Sequence, residues 1–146
     1  MELTSFIFES FEPEKVKNGE WVLKKDLFVH LFTSRGYYVA AIKAGFKWNG
    51  ASSPRLFQWV VPTWDKDKIG ANVASCFHDA AFASKGFGGL IGYHDSTNIY
   101  RGMLRDSGYS RFRASAADFF IDKFACRHWG DDCYNVAHLV TLTKIH

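Results

Sequence analysis

The sequence predicts an α+β fold: an N-terminal small antiparallel sheet followed by a bundle of about three helices. Two observations carry this reading. Apolar residues alternate with a period of two before about residue 48, and from about Asp67 they recur at helical spacing. A third is order, since strands first and helices after, with no repeat, linker or low-complexity tract, describe one α+β domain over residues 1–146.

Residues 1–48 read mostly as strands. Trp21, Leu23, Leu27, Val29 and Leu31 share one parity, Ser34-Arg35-Gly36 makes a turn, and Tyr37 to Phe46 is aromatic and β-branched. Residues 49–66 read as a loop, because Asn49-Gly50 is a strong turn dipeptide and Pro54 is a second break a few residues later.

Residues 67–130 read as helices. Ile69, Val73, Phe77, Ala80 and Ala81 set the first, and the Gly86 to Gly89 run ends it as a flexible connection. The second spans about Tyr93 to Asp106, with Asp95, Ile99 and Met103 on one stripe, Tyr100 and Leu104 beside them, and Gly108 closing it. The third spans about Phe112 to His128 with Ala117, Phe120, Ile121 and Phe124 inward, and Ser115 with Asp118 resembles a capping pair. Residues 131–146 stay open between helix and strand.

Composition excludes several classes of protein. With 47% hydrophobic and 17% aromatic residues the chain is too apolar for a disordered tail, yet no stretch approaches the ~20 uninterrupted apolar residues of a membrane helix. Its +3 net charge is interleaved without a run of four basic residues, so no nucleic-acid partner is expected. The first residues show no signal-peptide pattern, which places the expected location in a host cytoplasm or a virion, and three scattered cysteines predict reduced thiols. All five glutamates lie at or before Glu20, so carboxylate chemistry later in the chain must use aspartate.

His78-Asp79 and Asp95 are the chemical candidates. Neighbouring helical residues differ by about 100° in direction, so His78 and Asp79 flank a crevice rather than face one another. Asp95 lies on the apolar stripe, where a carboxylate needs a donor or a cation. A Gly-rich turn between two antiparallel helices brings the Asp95 end beside the second half of the first helix, so His78 and Asp95 are expected to meet. Such a pair fixes the imidazole tautomer and frees the other nitrogen to act on water, while Asp79 can hold a hard divalent cation. The plain alternative is an interhelical hydrogen bond that only aligns the two helices.

Three successive segments between Phe46 and Gly130 resemble a family found widely in bacteriophages and prophages, domain of unknown function 1353. They are Phe46-Lys47-Trp48-Asn49-Gly50-Ala51-Ser52-Ser53-Pro54-Arg55-Leu56-Phe57-Gln58-Trp59, Ala74-Ser75-Cys76-Phe77-His78-Asp79-Ala80-Ala81-Phe82, and Asp95 to Leu104 followed by Gly108-Tyr109-Ser110. Asn49 stands where many relatives carry Asp, and Phe82 where they carry Tyr. The Cys76-x-His78-Asp79-x-x-Phe82 spacing with a later Asp95 is also similar to phospholipase A2 enzymes, although the disulfides that staple those helices have no counterpart here. That resemblance implies calcium held by Asp79 and by backbone carbonyls of the upstream loop, here around Asn49 and Gly50, with Ser52, Ser53 and Arg55 in the same loop.

Other motifs carry less. Gly86-x-Gly88-Gly89-x-x-Gly92 follows a helix rather than a strand and lacks the Lys-Ser/Thr continuation of a phosphate loop. Cys126, His128, Cys133 and His138 fit no common zinc spacing, and His94, Asn98, Arg101 and Arg105 read as a solvated helix face. Four of the five tryptophans lie between Trp21 and Trp64. The segment from Trp59 to Trp64 is apolar enough to rest on another protein or a lipid surface, or else its rings cap the sheet.

Two functions are therefore expected. One is a metal-assisted, calcium-dependent hydrolase acting on a phospholipid ester or a cell-envelope bond, with His78 as base, Asp95 as its orienter and Asp79 on the cation. The other is a non-enzymatic phage protein, a virion or tail component or a binder of a host factor, that keeps His78 and Asp95 as a structural pair.

Overall fold

A computed structural model describes residues 1–16, 20–49, 62, 64–120, 129–131 and 133–146. A four-stranded antiparallel sheet contains β1 (Leu3–Glu9), β4 (Leu27–Thr33), β5 (Gly36–Ile42) and β7 (Val140–Lys144) in the order β1-β4-β5-β7. A smaller sheet joins β2 (Pro13–Lys15), β3 (Trp21–Leu23) and β6 (Lys47–Trp48) in the order β2-β3-β6. The helices are α1 (Ile69–Ala83), α2 (Lys85–Gly89), α3 (Tyr93–Asp106), α4 (Arg111–Phe120) and α5 (Cys133–Val136). The α+β architecture agrees with the sequence. None of the described helices is long and apolar enough to cross a membrane.

Alternation decides which sheet face is buried. Leu27, Val29 and Leu31 of β4 are sealed, as are Ala40 and Ile42 of β5, and Phe6 joins them from β1. Register fixes the opposite face, where Ile7 stands against His30, Glu9 against Phe28, and Phe32 against Tyr37. The β4–β5 turn closes on a Thr33–Gly36 pair, with the Thr33 hydroxyl donating to the Gly36 carbonyl at 2.9 Å.

The helices cover the inward face. Val73, Ala74, Phe77, Ala80 and Ala81 of α1 and Ile99, Met103 and Leu104 of α3 enter one core with the sheet residues. The α3 helix meets β1 at a residue that only glycine allows. A Cβ on Gly102 would come 2.7 Å from Leu3 Cβ, so the missing side chain lets β1 lie directly on α3.

The connection between α1 and α3 is more structured than a flexible run. Ser84 Oγ donates to the Ala80 carbonyl at 2.6 Å and accepts the Phe87 N–H at 2.9 Å, tying the end of α1 to the next turn. Gly86, Phe87 and Gly88 then adopt left-handed backbone at φ 71°, 57° and 76°, which reverses the chain within a few residues.

One local expectation is corrected, and one open segment is resolved. The start of α4 uses Ser110, whose Oγ accepts the Arg113 N–H at 3.2 Å, while Asp118 bonds Arg101 at 2.9 Å instead of closing a cap with Ser115. The tail left open between helix and strand contains both, since α5 precedes β7 and β7 pairs with β5. Ile121, Phe124, Cys126 and His128 lie outside the described residues, as does the side chain of Cys133.

Candidate functional site

His78 sits in the seam between α1 and α3. Its ring centroid is 4.3 Å from that of Phe82, one turn on along α1, and 4.6 Å from that of Tyr100 on α3. The residue is 9% exposed, and its Nε2 exposes under 1 Å² with no hydrogen-bond partner among the described residues. Nδ1 lies 3.9 Å from Asp79 Oδ1, beyond hydrogen-bond length. An unmet buried nitrogen costs about 1–3 kcal/mol, so the seam is polar where packing alone would make it apolar.

The expected meeting of His78 with Asp95 does not form. Asp95 Oδ1 takes the Met1 ammonium at 3.1 Å and Oδ2 takes Arg35 Nη1 at 3.1 Å. Register is the reason. His78 is level with Tyr100, and Asp95 lies five residues earlier on α3, about 7.5 Å along the axis. The buried stripe of α3 runs through Ser96, Ile99, Tyr100 and Met103, so Asp95 falls one position to its side and faces the start of β1 and the β4–β5 turn.

Three polar residues of the seam were not singled out from the sequence as site candidates. Tyr100 and Ser96 are one helical turn apart on α3, and Ser75 lies three residues before His78 on α1. Burial pushes the Tyr100 hydroxyl up, the Ser75 hydrogen bond opposes it, and the Asp79 charge adds to it. Burial first, and the Asp79 carboxylate second, also raise the Cys76 thiol, which is free and sealed. Ser96 is 0% exposed, and its Oγ has no hydrogen-bond partner among the described residues. The i, i+4 spacing of Ser96 with Tyr100 was the available signal.

Asp79 remains open to solvent, with its side chain 26% exposed. Asn49 follows β6 and is exposed, whereas Gly50, Ser52, Ser53, Arg55 and Trp59 lie outside the described residues. Among the described residues no group of three or more His, Cys, Asp or Glu side chains converges as a metal cage. Trp64 is half-buried, stacks on Trp21 at 4.0 Å and lies 6.3 Å from Phe11, within the aromatic packing beside the small sheet.

A second polar hub lies before α1. Asp65 Oδ1 accepts the N–H groups of Asp67 and Lys68, Oδ2 accepts the Tyr109 hydroxyl at 2.9 Å, and the Asp65 backbone pairs twice with the Asn72 amide. Burial pushes the Tyr109 phenol up, with its hydrogen bond to Asp65 adding to the effect.

A sheet-and-helix protein with a buried histidine seam is the class that this geometry defines. The chain belongs to the family described as Protein of unknown function (DUF1353), whose model matches residues 21–118 and so spans β3 through most of α4. No curated protein and no solved structure gives a significant match.

Proposed function

We propose that the chain is a non-catalytic phage-type protein that acts by binding another protein, through the outward face of its four-stranded sheet. The observation that carries this reading is the exposure of Ile7, Phe28 and Phe32, at 57%, 37% and 37%, on that one face. Register adds Tyr37, Val39 and Ala41 to it, and the Phe32 and Tyr37 rings stack at 4.9 Å. Four strands of this length cover roughly 400 Å², over which these apolar side chains are interspersed with Glu9, His30, Thr141 and Thr143. The Glu9 carboxylate is taken up within the face by His30 Nε2 at 3.0 Å, so the surface suits an apolar protein partner better than nucleic acid. The phage setting, with a virion or tail component or a host factor as partner, rests on the family resemblance.

The test is co-sedimentation of the purified chain with phage particles. Phe28→Glu with Phe32→Glu is expected to abolish binding while the thermal midpoint stays within a few degrees of the parent. Undiminished binding by that variant would remove the sheet face from the reading.

One observation favours hydrolysis as a second reading. His78 Nε2 has no partner among the described residues while Asp79 sits 3.9 Å from Nδ1, so a movement that opened the seam would expose a base beside a carboxylate. In that reading Asp79 takes the orienting or calcium-binding role, with Asn49 and Gly50 on the cation, and the substrate is a phospholipid ester or a cell-envelope bond. Calcium-dependent ester hydrolysis by the parent that disappears in folded His78→Gln would establish it and displace the non-catalytic reading.

A further inference from the structure

The helix face that the sequence marks as solvated lines a groove of about 520 Å³ between the start of β1, α3 and α4. Thr4, Asn98, Arg101, Arg105, Arg111 and Ser115 contribute to its walls. We infer that this groove binds a small phosphate-bearing ligand, with Arg105 and Arg111 on the phosphate and Arg101 as a fixed wall.

The charges are arranged unequally. Arg101 is held by Asp118 at 2.9 Å and by Asn98 at 3.0 Å, so its guanidinium is locked in place. Arg105 makes one long bond, Nη1 to the Tyr109 carbonyl at 3.3 Å, and neither it nor Arg111 forms an ion pair among the described residues. Asp106 and Glu2 border the same groove, yet Asp106 Oδ2 accepts the Phe6 N–H at 3.2 Å and neither carboxylate bridges to an arginine among the described residues. Two guanidiniums without a carboxylate partner therefore face one concavity.

Arg101 and Arg105 stand at i, i+4 on α3 and so project from one face of the helix, where Asp118 offsets the charge of Arg101 and leaves that of Arg105. Planar guanidinium forks match phosphate oxygens two at a time, and a concave wall strengthens their field above that of a flat surface.

Size and lining narrow the ligand. A volume near 520 Å³ falls within the roughly 300–1,000 Å³ of small-molecule sites. The side chains of Asn98, Thr4 and Ser115 offer hydrogen bonds to a hydroxylated body, and Leu3 and Ala114 are the apolar side chains of the lining. A phosphate on a small polar body fits, whether it is a free phosphorylated molecule or the headgroup of a lipid.

Isothermal titration with pyrophosphate and with a nucleoside 5′-monophosphate, alongside flotation with phosphatidic acid vesicles, tests the site at low salt. Saturable binding is expected, weakened about tenfold in Arg111→Ala and in Arg105→Ala, and unchanged in Lys25→Ala, a lysine of the loop before β4. Arg111 is exposed and makes no side-chain hydrogen bond among the described residues, so its variant folds as the parent does. Binding of the soluble probes without vesicle flotation assigns a free ligand, and flotation alone, lost in Arg111→Ala, assigns a headgroup. No binding to any probe, or equal weakening by Lys25→Ala, overturns the proposal.

Discussion

The His78 imidazole and the Tyr100 phenol lie ring against ring across the α1–α3 seam, 4.6 Å between centroids and tilted by 34°. His78 therefore stands level with Tyr100, while Asp95, five residues earlier on α3, bonds Met1 and Arg35 outside the seam. Phe82 closes the same ring from along α1, so His78 is clamped by aromatic carbon on two sides. Its buried Nε2 meets solvent only when the helices part.

Asp95 is expected to act on stability alone. Asp95→Asn removes the charge shared by the Met1 ammonium and Arg35 and weakens the first turn of α3, with an expected loss of about 1 kcal/mol. Arg35→Ala is expected to cost under about 0.5 kcal/mol, because its side chain is 59% exposed and water screens the pair. Urea unfolding reads both. The His78 ring proton shifts in NMR are expected to stay unchanged in Asp95→Asn, and a change in them would restore a direct link between the two residues.

The contrast between what the chain discloses and what it hides comes from range. The bounds of α3 and the turn at Arg35 depend on local periodicity and glycine placement, and both are readable in a window of a dozen residues. The buried stripe of α3 was legible to within one residue, but that one residue decides whether Asp95 or Ser96 enters the seam. The partner of Asp95 was not legible, since Arg35 lies 60 residues away in a hairpin turn. The left-handed run at Gly86 to Gly88 also fixes helix register, and sequence spacing alone read it as loose connection. β7 carries only two buried apolar residues, Val140 and Leu142, and its identity is decided by pairing with β5 rather than by its own pattern.

Gly102→Ala separates packing from helix propensity. Alanine favours a helix interior by about 1 kcal/mol over glycine. Here the added Cβ meets Leu3 Cβ at 2.7 Å, and overpacking costs about 1–3 kcal/mol, so the net expectation is a loss of stability. Adding Leu3→Gly to Gly102→Ala removes that Cβ and is expected to recover the packing part of the loss, and a double-mutant cycle in urea measures the coupling. A stabilised Gly102→Ala would show that β1 does not press on α3 at this point.

Asp65→Ala is expected to be among the most damaging single changes in the helical half. It strips two N–H partners from the turn before α1 and leaves the buried Tyr109 hydroxyl without an acceptor, for about 2–3 kcal/mol together. Tyr109→Phe removes only the hydroxyl bond and is expected to cost about 1 kcal/mol. Thermal and urea unfolding of the pair rank the two contributions. Equal losses in the two variants would mean that the turn before α1 does not depend on the Asp65 carboxylate.

The same buried groups give the fold an alkaline limit. Cys76, Tyr100 and Tyr109 all have proton affinities raised above their ordinary values, 9.0 for the thiol and 10.0 for each phenol. Each group keeps its proton in the folded chain at a pH where the unfolded chain has released it. The unfolded state then binds fewer protons, so stability is fully present below about pH 9 and falls as pH rises beyond it. A fully differential proton contributes about 1.4 kcal/mol per pH unit to the slope. Urea midpoints measured from pH 8 to 11 are expected to decline, and Tyr100→Phe is expected to flatten the decline above pH 10 because one such proton is gone. A midpoint that stays level to pH 11 would mean that these side chains ionise as readily in the folded chain as in the unfolded one, and that the seam around His78 and Tyr100 admits water.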